Sequence, residues 1–106
     1  MKINLNQAFK NLDGTTVKQG DDEITLCVVA CNSLLSDLPD EKLTGDKKAH
    51  RGKLAMTIHG EDCIDISIED VALIKELIGK MYGPLIVAQA NYFLESSGTM
   101  KEVKDG

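Results

Sequence analysis

The first residues alternate apolar and polar, Ile3-Asn-Leu5-Asn-Gln-Ala-Phe9, and Asp13-Gly14 follows just before Thr15-Thr16-Val17. Alternation of this period marks a strand with one buried face, and Asp-Gly accepts the positive φ angles of a tight type I′ turn. Residues 2–18 are therefore expected to form a β-hairpin. Leu12 is out of phase with Leu5 and Phe9, which a bulge near Lys10-Asn11 would repair. Gly20-Asp21-Asp22-Glu23 reads as a solvated turn, with Ile24 as a short extended piece behind it.

The period then changes to that of a helix. Thr25 is a plausible N-cap, because its hydroxyl can accept from an unpaired amide of the following turn. Over 26–36, Leu26, Val29, Ala30, Ser33 and Leu34 share one face, and Cys27, Cys31 and Leu35 broaden it into a stripe too wide for a surface helix. Leu38-Pro39-Asp40 ends this helix, and 37–46 is a polar connection. A second helix is expected from about Asp46 to Ile58, starting near Thr44 or Asp46. It turns Lys47-Lys48-Ala49-His50-Arg51 outward and Leu54, Ala55 and Ile58 inward, with Gly52 as its weak point.

Cys63-Ile64-Asp65-Ile66-Ser67 alternates again and predicts a third strand that pairs with the hairpin. Ser67 caps a helix over 68–81. Glu69 and Asp70 suit its positive end, and Val71, Ile74, Leu77, Ile78 and Met81 repeat at helical spacing. Gly83-Pro84 marks a stop and a fresh start. The helix over 85–95, Leu-Ile-Val-Ala-Gln-Ala-Asn-Tyr-Phe-Leu-Glu, is apolar nearly all round, so it must be covered on more than one side, by its own chain or by a partner. Residues 96–106 read as a polar, frayed end.

These elements define an α+β chain, an N-terminal β-hairpin and a short third strand packed on about four helices. At 106 residues it is expected to be one domain, 1–106. Two Tyr, two Phe and no Trp leave the core to aliphatic side chains and provide few rings for stacking bases. A net charge of −5 disfavours long-range attraction to nucleic acid or an anionic membrane. The opening Met1-Lys2-Ile3-Asn4 is too polar for a secretory signal, and no apolar run nears the ~18 residues of a membrane span. A cytoplasmic location is the expectation, with Cys27, Cys31 and Cys63 as reduced thiols.

Few residues suggest chemistry. Cys27 and Cys31 are four apart, as are His59 and Cys63, so four soft ligands could converge on zinc. The same spacing places small apolar side chains on one buried stripe, and that reading is the stronger. Glu61, Asp62, Asp65, Glu69 and Asp70 form an acidic run. Ile64 and Ile66 fall where a calcium loop needs oxygen ligands. His50 and His59 are the only imidazoles, and no nucleophile elbow, phosphate loop or dinucleotide fingerprint is present. The expectation is a protein that is not an enzyme, with no cofactor and no metal. Lys47, Lys48, Arg51 and Lys53 form the one basic cluster and offer an alternative role in nucleic-acid binding, although nearby Asp40, Glu41 and Asp46 dilute its field.

Met1-Lys-Ile-Asn-Leu-Asn-Gln, the Leu12-Asp13-Gly14 turn and the block Ile64-Asp-Ile-Ser-Ile-Glu-Asp-Val-Ala-Leu-Ile-Lys-Glu-Leu-Ile-Gly-Lys, with Tyr82 and Pro84-Leu85, resemble small uncharacterised proteins of tailed bacteriophages and prophages. The resemblance spans residues 1 to about 95 and rests on structural signals. It implies a phage product acting inside a bacterial host cell and transfers no active-site residue; the three cysteines are not part of its pattern. The functional expectation is a small non-enzymatic protein-binding module that engages a host or phage protein and can self-associate. Its candidate partner-binding residues are Tyr82, Leu85, Ile86, Gln89, Tyr92 and Phe93. A virion morphogenesis factor is a further alternative.

Overall fold

A computed structural model describes residues 2–36 and 42–96. In chain order these form β1 (Lys2–Asn4), β2 (Lys18–Gln19), β3 (Asp22–Glu23), α1 (Leu26–Leu34), α2 (Gly45–Ile58), β4 (Cys63–Asp65), α3 (Ile68–Met81) and α4 (Pro84–Ser96). The α+β expectation is met: four helices and two small antiparallel strand pairs among the described residues. The expected helix stop at Leu38-Pro39-Asp40 and the polar end after Ser96 lie outside the described residues.

The N-terminal segment departs from a single hairpin over 2–18. β1 pairs antiparallel with β4, with Ile3 opposite Ile64, while residues 5–9 run beside the start of α1. Leu5 C=O accepts from Cys27 N–H at 3.1 Å, and Gln7 C=O accepts from Leu26 N–H at 2.9 Å. The Asp13-Gly14 turn forms, but over a shorter span and in another geometry. Asn11 N–H donates to Thr15 C=O at 2.7 Å, and Gly14 N–H to Asn11 C=O at 3.0 Å, which makes Leu12-Asp13-Gly14 a three-residue loop. Gly14 has φ +89° and no non-glycine residue among the described residues has positive φ, so the I′ turn is excluded, since it needs both central residues in that region. Leu12 is out of phase because it sits in the loop; no bulge is needed. β2 and β3 form a second hairpin closed by Gly20-Asp21. Gly20 at φ +67° supplies the positive first position of a II′-type turn.

Three backbone hydrogen bonds close into a ring at this junction. Phe9 N–H donates to Ile24 C=O (3.0 Å), Ile24 N–H to Val17 C=O (3.0 Å) and Val17 N–H to Phe9 C=O (2.9 Å). Phe9 is fully buried and packs on Phe93 of α4, with ring centroids 5.2 Å apart and planes tilted by 55°. Such a pair adds about 0.5–1.5 kcal/mol beyond the area it buries.

The helices begin where local chemistry placed them. Thr25, Thr44 and Ser67 accept at their hydroxyls from Val28, Lys47 and Asp70 N–H, at 3.5, 3.2 and 3.1 Å. α1 packs against both α2 and α3, α3 against α4, and α4 reaches β1. α1 and α3 are therefore central and α4 flanks them. One hydrophobic cluster runs from Ile3, Leu5 and Phe9 through Leu26, Ile58 and Leu77 to Leu94. Two inward expectations fail: Leu35 lies beyond the end of α1 and is exposed, and Met81 at the end of α3 is partly so. Arg51, expected outside, is only 8% exposed.

Ser33 is fully buried on α1, and its hydroxyl has no hydrogen-bond partner. A buried polar group in that state costs about 1–3 kcal/mol, so Ser33→Ala is expected to raise unfolding free energy by about 1 kcal/mol in urea titrations. Phe9→Ala, which empties the ring junction and removes the Phe93 contact, is expected to lower it by about 3–5 kcal/mol in the same measurement.

Candidate functional site

α4 carries most of the expected partner-binding residues. Pro84 opens it without needing an amide partner, and Gly83 C=O accepts from Val87 N–H at 3.0 Å. Ala90 and Leu94 are buried, while Ile86, Val87 and Phe93 are partly buried against the core. The expected residues divide between the chain's own contacts and its surface. Tyr82 and Ile86 line a groove of about 350 Å³ together with Val17, Ile24, Val28 and Asn32. Asn32 Nδ2 donates to the Tyr82 hydroxyl at 3.4 Å. Phe93 lies on Phe9.

Gln89 makes the most specific of these contacts. Its Oε1 accepts from Lys10 N–H and its Nε2 donates to Lys10 C=O, both at 2.9 Å. The carboxamide thus takes the place of a neighbouring strand and pairs both backbone groups of one residue. Leu85 (37% exposed) and Tyr92 (40% exposed) remain at the surface, seven residues apart on one face of α4, with the partly exposed Met81 just before the helix. A Lys75–Glu95 ion pair at 2.6 Å ties α3 to α4 beside this face.

The basic cluster is split. Lys47, Lys48 and Lys53 are exposed on α2, whereas Arg51 is buried; it lines the cleft between α1 and α2 with Leu34, Leu35, Leu43 and the exposed Lys48. Its long apolar stem makes the inward course feasible, which charge alone does not reveal. His50 Nε2 lies 2.8 Å from Asp70 Oδ1, linking α2 to α3. The expected basic surface therefore reduces to three lysines with Asp46 among them.

The thiols sit at the end of α2. Cys27 Sγ donates to Ile58 C=O at 3.5 Å, and Cys31 Sγ to Ala55 C=O at 3.7 Å. Burial, with the neighbouring Cys27 as a second cause, pushes the Cys31 thiol up to about 11. Cys63 is exposed on β4. Among the described residues no group of three or more His, Cys, Asp and Glu side chains could hold a metal ion.

The most exposed large apolar side chains are ones the pattern of the chain did not mark as partner-binding. Leu12 stands 92% exposed at the tip of its turn, and Leu35, Met56 and Ile68 are exposed on or beside helices. Both Leu12 and Met56 had a signal: Leu12 breaks the alternation beside Asp13-Gly14, and Met56 lies some 200° around the helix from Leu54.

The fold and this surface define a small α+β protein with several apolar side chains left at its surface. No family model, curated protein or solved structure matches the chain. No helix of the described residues is long and apolar enough to cross a membrane.

Gln89→Ala removes both bonds to Lys10 and is expected to cost about 1–2 kcal/mol, with faster hydrogen exchange at the Lys10 amide by NMR. Alkylation near neutral pH, followed by mass spectrometry, is expected to modify Cys63 first and Cys31 last. Burial and a raised pKa both leave Cys31 as unreactive thiol.

Proposed function

We propose that this chain is a small non-enzymatic protein-binding module, phage-encoded and acting in the bacterial cytoplasm, which docks a host or phage protein through the outer face of α4. The observation that supports it is the pair Leu85 and Tyr92. After the chain has covered the rest of α4 with Phe9, Lys10 and α3, these side chains still face water on one side of a well-anchored helix. A tyrosine beside an aliphatic residue on a rigid helix is the composition of an interface centre: the ring supplies contact area at little ordering cost and the hydroxyl stays hydrogen-bonded. The phage origin rests on the resemblance over residues 1 to about 95.

A photo-crosslinking residue placed at Tyr92 in the native host is expected to yield one discrete protein adduct. Leu85→Asp in the same protein should abolish it with an unchanged circular dichroism spectrum. The same probe at exposed Glu61, in the connection between α2 and β4, should give no such adduct. Equal adducts at both positions, or an adduct that survives Leu85→Asp, would refute the α4 docking face.

A further inference from the structure

The turn that carries Leu12 is held from several directions. Asp13 Oδ1 accepts from the Thr15 amide (3.0 Å) and the Thr15 hydroxyl (2.7 Å), and Asn11 Nδ2 donates to Thr15 Oγ1 (3.0 Å). The hydrogen bonds from Thr15 also hold the Asp13 carboxyl below the usual carboxylate range, so a carboxylate stands beside the leucine, with the Lys10 ammonium at the base of the turn on Thr16 Oγ1 (3.1 Å). Gln89 fixes Lys10 at the base of the turn. A loop whose backbone is already held in place loses little freedom on contact, which lowers the cost of using the leucine it carries as an anchor.

A matching recess lies elsewhere on the molecule. The seam between α1 and α2 has an apolar groove of about 380 Å³ lined by Cys31, Leu35, Ala55, Met56 and His59. Met56 on its rim is 79% exposed, and Lys53 and His59 stand three residues to either side of it. Knob and recess agree in polarity and in charge: a leucine next to a carboxylate, and a methionine between an ammonium and an imidazole. The exposure of Leu12 shows that the turn does not seat in the groove of its own chain.

We infer that the α1–α2 groove is the seat of the Leu12 turn of a second copy of this chain. The two patches differ, so the contact is head-to-tail. Each copy offers its turn to one neighbour and its groove to another, giving a ring if the rotation closes and an open chain if it does not. The Asp13 carboxylate against Lys53 makes the contact weaken with added salt. This self-association uses neither Leu85 nor Tyr92 and does not rest on the α4 docking face.

Sedimentation velocity of the full chain over a concentration series tests it. The wild type is expected to associate. Leu12→Asp and Met56→Asp should each weaken association by roughly thirtyfold or more while circular dichroism stays unchanged, both side chains being at the surface. Leu12→Asp copies keep an intact groove and Met56→Asp copies an intact turn, so an equimolar mixture should form dimers and nothing larger. Leu85→Asp should associate like the wild type. A wild type that stays monomeric throughout overturns the inference, as do a single variant that associates normally, a mixture that stays monomeric, or loss of association in Leu85→Asp.

Discussion

A buried phenylalanine whose own N–H and C=O must both be paired sets the terms for the N-terminal third of this chain. Phe9 has no water to satisfy its backbone, so it binds Ile24 on one side and Val17 on the other, and the Ile24–Val17 bond closes the ring. That ring holds three stretches of chain together at a point where no strand exceeds three residues. Strands this short are marginal alone. Here they persist because the Phe9 ring is driven into α4 against Phe93, so that hydrophobic burial and backbone pairing stabilise the same few residues.

Placement of Phe9 also determines what α4 can offer. With the aromatic pair formed, Lys10 is brought alongside α4, and Gln89 satisfies both of its backbone groups. One side of the nearly all-apolar helix is thereby covered by the first dozen residues of the chain, and a second side by α3. Only the stripe through Leu85 and Tyr92 is left over. Covering is shared between local β structure and helix packing, and so α4 flanks the core without passing through its centre.

How far the pattern along the chain revealed this depends on the range of the interaction concerned. Helix starts at Thr25, Thr44 and Ser67, and the inward stripes of α1 and α3, are local properties of capping and 3.6-residue spacing, and they stand as expected except at the C-terminal ends, where Leu35 and Met81 turn outward. The partner of β1 is not local. Alternation at Ile3 and Leu5 says that one face is buried but not whether residue 17 or residue 64 lies opposite. Asp-Gly likewise serves an I′ turn or a three-residue loop equally well, and the flanking ring decides between them. Gln89 was legible as a polar break in an apolar helix, hence as a contact residue, but its contact is with Lys10 of its own chain. Arg51 misled for a similar reason: charge indicates where the guanidinium is comfortable, not where three methylenes run.

Exposure alone does not distinguish the surface leucines and methionines, since isolated apolar side chains are ordinary on small proteins. What separates Leu12 from Ile68 is the framework beneath it. Ile68 sits at the first turn of α3, where helix ends fray and the backbone has unpaired amides. Leu12 projects from a loop whose neighbours are bonded through Asp13, Thr15 and Asn11 and whose base is bonded to another helix. Those bonds, together with the Gln89 contact at Lys10, hold the loop that carries Leu12. A chain with a net charge of −5 repels its copies at long range, so only a local match of apolar surface and opposite charge, such as that between this turn and the Met56 groove, would bring them into contact.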